Sequence, residues 1–180
     1  GVSISRGTGA SISRRTGRSM KEKEFIARFR GIYEHSPWVA EKAAPLVDGS
    51  ADVDVIARVM EDCVDNASRD RQLALIRAHP DLAGKAAVAG ELTDDSETEQ
   101  SRAGLDQCSP QEYARFQALN EAYRGKFGFP FVMAVRNSSR TEILAAFESR
   151  LSNDYDAEFE TALVEIHKIA RMRLVALGAN

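Results

Sequence analysis

Four times along the chain a serine is followed three residues later by a glutamate: Ser19 with Glu22, Ser96 with Glu99, Ser109 with Glu112, and Ser139 with Glu142. At that spacing the serine hydroxyl accepts from the backbone N–H three residues on, and the glutamate reaches back to the serine's own N–H. Each pair therefore marks the start of a helix. Behind Ser19 come Phe25, Ile26, Phe29 and Ile32. Behind Ser109, with Pro110 at the first helical position, come Tyr113, Phe116, Leu119, Asn120 and Tyr123. Behind Ser139 come Ile143, Leu144, Phe147 and Leu151. These sets repeat at the helical period and would each bury one stripe. Ser36-Pro37-Trp38 restarts the chain as another helix, because a proline at a helix start gives up no hydrogen bond. Further helices are expected from about Val53 to Val64, Ser68 to Ala78 and Asp154 to Leu177, the last stopped by Gly178.

Lys126 to Arg136, KFGFPFVMAVR, does not fit this pattern. Its aromatic and β-branched residues would suit a strand, but no partner strand is evident and a lone strand is unstable. It is expected to be an extended, buried connection. The fold class is all-α, an irregular bundle of about eight helices. The 180 residues suit one domain. Residues 1–19 hold Ser, Gly, Thr and Arg with no acid and almost no large apolar residue, and read as a disordered expression leader. The domain is expected over 20–180.

Charge and cysteine use narrow the function. Without the leader's four arginines the domain has 20 basic against 27 acidic residues, so a phosphate backbone is an unfavourable partner and no nucleic acid is expected. No run approaches the roughly 20 apolar residues of a membrane span. Cys63 and Cys108 are far apart and form no CxxC, which points to neither a disulfide framework nor a zinc site. The chain ends Leu177-Gly178-Ala179-Asn180, unlike a peroxisomal address, so the cytoplasm is the expected location. HExxH, GxSxG, GxxxxGK[ST] and GxGxxG are all missing.

Residues at helix ends without an obvious structural task are the candidates for chemistry. His79 closes the helix carrying Leu73, Leu75 and Ile76, and Pro80 pushes its backbone away from the α region. It can serve the helix dipole or point a titratable ring into a cleft. His35 has the same local grammar, and His167 lies inside the last helix. Glu99 is explained by capping Ser96, yet that helix N-terminus also offers N–H donors and a carboxylate to a polar ligand. Arg171 and Arg173 sit near a helix end. Arg173 lies seven residues after Ile166 and can share its inward face, where it would need a partner.

Five runs together resemble one family: Tyr33 to Ala40 (YEHSPWVA), Ala78 to Gly84 (AHPDLAG), Ser96 to Gln100 with Ala103-Gly104-Leu105, Leu119-Asn120 with Tyr123 and Lys126 to Val135, and Glu165 to Arg171 (EIHKIAR). In order, over about Phe25 to Leu174, they resemble OHCU decarboxylase, the 2-oxo-4-hydroxy-4-carboxy-5-ureidoimidazoline decarboxylase of urate degradation. The resemblance implies a homodimeric, all-helical carboxy-lyase of purine catabolism that forms (S)-allantoin and CO2 without a metal or organic cofactor. It implies His79 as catalytic histidine and Glu99 as its acid partner. The substrate contacts it implies are Pro80, Ser96, Glu97, Thr98, Glu99 and Gln100, the main chain of Phe131, Val132, Met133, Ala134 and Val135, and Arg173.

Overall fold

The computed structural model describes residues 17–178; most of the expected leader, 1–16, lies outside them. Among the described residues there are nine helices and no strand: α1 Met20–Phe29, α2 Trp38–Ala43, α3 Val53–Asp65, α4 Arg69–Arg77, α5 Lys85–Val88, α6 Asp94–Arg102, α7 Pro110–Phe127, α8 Arg140–Leu151 and α9 Tyr155–Ala176. The short α5 is the element that the periodicity does not announce. Its four residues are too few to show a stripe, and none is buried. Arg18, assigned to the leader, bonds to the Glu41 carbonyl and pairs with Glu22, so it belongs with the folded part.

Two of the four serine–glutamate pairs act fully as expected, and a third in its serine half. Ser19 accepts from the Glu22 N–H, while Ser109 and Ser139 form reciprocal capping boxes with Glu112 and Glu142. Ser96 does not. Thr93 caps α6 and accepts from the Ser96 N–H, placing Ser96 inside the helix with its hydroxyl free for another use. Thr93 opens the helix three residues earlier, and Asp94, Asp95 and Glu97 complement its N-terminal dipole.

α9 organises the bundle: it packs on α3 and α4, α3 packs on α2, and α7 packs on α8. Ala162, Ile166, Ile169, Ala170, Arg173 and Leu174 are buried along it. At the end of α7, Gly128 adopts a left-handed φ of 74°, a conformation that glycine enters without strain. The chain then leaves as the connection expected from its composition. Phe129, Phe131, Val132 and Val135 are buried, and Phe131 stacks on Phe147 with ring centroids 3.9 Å apart. That aromatic packing anchors a stretch with no ladder of its own.

Candidate functional site

α4 delivers His79 to the wall of a cavity. The His79 N–H bonds to the Ile76 carbonyl at 3.1 Å, and Pro80 prevents a further turn. Its Nδ1 lies 3.1 Å from the Leu75 carbonyl. A carbonyl only accepts, so Nδ1 carries the proton and Nε2 keeps its lone pair. The side chain is buried, and burial pushes the His79 pKa down to about 4. The Leu75 bond and the charge of Glu34 oppose that shift, and Arg173 adds to it. His79 is therefore a neutral base near pH 7, with its tautomer fixed by the helix end.

α9 brings Arg173 in from the other side, buried as its spacing from Ile166 requires. Nε donates to Glu99 Oε1 at 2.7 Å, and Nη2 donates to Glu99 Oε2 at 3.1 Å. Nη2 also reaches Glu34 Oε2 at 2.7 Å and Ser96 Oγ at 3.3 Å. Glu34 further accepts from Thr93 Oγ1 at 2.6 Å and Ser96 Oγ at 2.8 Å. Burial alone would raise the Glu34 pKa; the bonds from Thr93, Arg173 and Ser96 and the arginine charge hold it low. Burial likewise opposes the charge on Arg173, which the two glutamates more than restore. Glu34 is the functional residue that sequence reasoning missed. It sits in a matched run, but the only signal for a role was that a buried arginine needs an acid, and spacing does not say which.

Glu99, expected as the acid partner of His79, is bonded to Arg173 in this structure. Each of its two oxygens accepts one bond from Arg173, while the bond on His79 Nδ1 is to the Leu75 carbonyl. Arg171 faces outward to Asp54 and Glu61. His167 links the Tyr33 hydroxyl to Asp65. His35 is exposed, with a positive φ of 47°.

The loop after His79 is held by side-chain amides. Gln100 accepts from the Ala83 N–H and donates to the Asp81 carbonyl; Gln117 donates to the Ala83 carbonyl, and Asn120 to that of Leu82. Beside this loop opens a cavity of about 630 Å³. It is lined by His79 and Pro80, by Ser96, Thr98, Glu99 and Gln100 of α6, by Phe131 to Val135, and by Arg173. Of the residues expected to contact ligand, only Glu97 is outside this lining, exposed on the outer side of α6. No group of three or more His, Cys, Asp or Glu among the described residues is arranged to hold a metal ion.

Comparison with known proteins matches the same span. A family model described as OHCU decarboxylase matches residues 18–175. A 2-oxo-4-hydroxy-4-carboxy-5-ureidoimidazoline decarboxylase of Haloferax volcanii is 48% identical over 155 residues, covering 86% of this chain and 89% of its own. The enzyme of that name from Mus musculus is 37% identical, with coverage of 90% and 91%. A crystal structure of (S)-allantoin synthase superposes with a TM-score of 0.65 at 35% identity, over 87% of this chain and 50% of the other. A crystal structure of OHCU decarboxylase in the presence of (S)-allantoin, 22% identical, shares the fold with a TM-score of 0.68 over 83% of this chain and 96% of that one.

Proposed function

This chain belongs to the OHCU decarboxylase family, and on that footing we propose that it removes CO2 from 2-oxo-4-hydroxy-4-carboxy-5-ureidoimidazoline to give (S)-allantoin, with His79 moving the proton. The observation that carries the reading is a buried neutral imidazole in the wall of a cavity that an acid-held arginine also lines.

The chemistry asks little of a cofactor. The carbon that loses CO2 is bonded to a ring carbon already double-bonded to nitrogen, so the electron pair of the breaking bond moves into that C=N. An organic cofactor is needed where a substrate lacks such a sink. His79 Nε2 takes the hydroxyl proton as CO2 leaves. The imidazolium so formed returns it to the ureido-bearing carbon, and the ring nitrogen left negative takes a proton from solvent. The burial that lowers the His79 pKa also makes its protonated form a strong donor, which favours the second transfer. Fixing Nδ1 on the Leu75 carbonyl keeps Nε2 as the transferring atom, and delivery from one wall accounts for a single enantiomer.

Arg173 is the buried guanidinium of the site, held between two carboxylates, while Arg102 and Arg136 also line the cavity. Glu34, almost fully buried, is its permanent counter-ion, whereas Glu99 is about one-third exposed at the cavity. Glu99 acts on the reaction by holding the guanidinium plane in place. The bidentate fork requires arginine at this position. A homodimer, which the family resemblance supports, and a cytoplasmic location, which the two free cysteines favour, complete the proposal. His79→Asn tests the central assignment: helical circular dichroism stays at the wild-type level, and turnover of freshly generated substrate falls by at least about 100-fold, the usual lower range for loss of a general base. Wild-type turnover in this variant would remove His79 from the mechanism.

A further inference from the structure

The segment lining the cavity has its main chain gripped from outside. Arg150, on α8, donates from Nη1 to the Val132 carbonyl at 2.6 Å, and Glu165, on α9, accepts from the Ala134 N–H at 3.3 Å. Both grips are themselves anchored. Arg150 Nε bonds to the fully buried Glu158 at 2.8 Å, and its guanidinium lies 4.3 Å from the Phe131 ring centroid. Glu158 also accepts from the Tyr123 hydroxyl and Asn153. Glu165, largely buried, pairs with Lys168 at 2.7 Å.

Peptide planarity turns these two bonds into an aiming device. Val132 C=O and Met133 N–H share one trans peptide plane and point in opposite directions; Met133 C=O and Ala134 N–H share the next. With no cis peptide among the described residues, fixing the Val132 carbonyl directs the Met133 N–H away from Arg150, and fixing the Ala134 N–H directs the Met133 C=O away from Glu165. Met133 lines the cavity, and neither its N–H nor its C=O has a protein partner among the described residues.

We propose that Arg150 and Glu165 are positioning residues that present the Met133 N–H and C=O as an adjacent donor and acceptor for a –CO–NH– group of the ligand, the ureido or ring amide of the substrate. This rests on the reading of the cavity as the ureidoimidazoline site. The main chain of Met133 is among the contacts that the family resemblance already implies; what is added is the pair of side chains that aim it, neither of which touches substrate.

The test uses the full chain and (S)-allantoin as probe. In 15N-labelled wild-type protein the Met133 amide proton shifts downfield on saturation with allantoin. Glu165→Met, which removes the acceptor, weakens allantoin binding and raises KM by about 10-fold, the worth of one hydrogen bond, with kcat changed by no more than about twofold. Glu165→Gln keeps an oxygen in place and brings KM back to within about threefold of wild type, a rescue that a role confined to the Lys168 pair would not give. An unmoved Met133 amide, or a Glu165→Met protein with lowered Tm but wild-type KM, overturns the proposal. Should Glu165→Met fail to fold, Arg150→Lys decides: it keeps the charge beside Glu158 but loses the Nη1 bond to the Val132 carbonyl, and is expected to raise KM by about 10-fold with kcat within about twofold, whereas a wild-type KM overturns the proposal. Because the Met133 amide shift needs no turnover, a wild-type protein that binds allantoin through Met133 but does not accelerate decarboxylation would count against the assigned reaction and leave this subsite standing.

Discussion

At the residue scale the site turns on a histidine whose environment departs from the ordinary. The local sequence left His79 open between a helix-end contact and a catalytic group, and the geometry makes the two compatible: Nδ1 serves the Leu75 carbonyl of the preceding helix, which leaves Nε2 free for the proposed chemistry. What the sequence could not carry was the depth of burial, set by distant elements, and with it the low pKa. The consequence is measurable. A neutral base with a pKa of about 4 makes the rate decline on the acid side near pH 4, well below the ordinary histidine value of about 6.5. Stability follows the same group with a definite sign. Between pH 4 and 6.5 the unfolded chain binds a proton at this site that the folded one does not, so the contribution of His79 to stability rises with pH across that window and is lost on acidification. A pH–rate profile of kcat/KM in wild type checks the first statement; an acid limb centred near 6.5 would contradict the buried neutral base. Glu34 shows the opposite limit of legibility: its partners come from α6 and α9, 59 to 139 positions away in sequence.

At the element scale most of the architecture could be read because helix grammar is local. Three serine caps and the period of α1, α7 and α8 follow from residues within a turn of one another. The exception is instructive. Ser96 has glutamate at the correct spacing, but Thr93 claims the cap, and the freed hydroxyl joins Glu34 and Arg173. A tertiary bond to a buried carboxylate thus outweighed a local motif. Between α4 and α5 the chain makes a tight loop in which Ala83 has a positive φ of 49° and a Cβ on Gly84 would come within 2.7 Å of Asp81 Cβ. Something must shift to admit that atom, and the loop it would shift carries His79 and Pro80 at its start. Gly84→Ala is expected to cost about 1–3 kcal/mol in stability, the range for overpacking, and to lower kcat through displacement of the loop. Urea denaturation with parallel kinetics checks this; an unchanged midpoint and kcat would show that the loop has room to spare.

For the whole molecule, function depends on bringing together parts that the sequence keeps far apart. The end of α4 leads into the histidine, α6 supplies one acid and the serine, the stretch before α2 the second acid, α9 the arginine, and the irregular run after α7 the main-chain wall. The composition anticipated that run as non-helical, and aromatic packing of Phe131 on Phe147 explains how it holds shape without a ladder. No helix among the described residues is long and apolar enough to cross a membrane. The convergence of these elements on one cavity predicts stereochemical control, since a proton delivered from the His79 wall reaches only one face of the planar intermediate. Non-enzymatic decay of the same substrate has no such wall and gives racemic allantoin. The most direct test is the enantiomeric composition of allantoin formed from freshly generated 2-oxo-4-hydroxy-4-carboxy-5-ureidoimidazoline, followed by circular dichroism. The wild-type chain is expected to give (S)-allantoin alone and His79→Asn racemic product; racemic product at the uncatalysed rate with the wild-type chain would contradict proton delivery from the His79 wall.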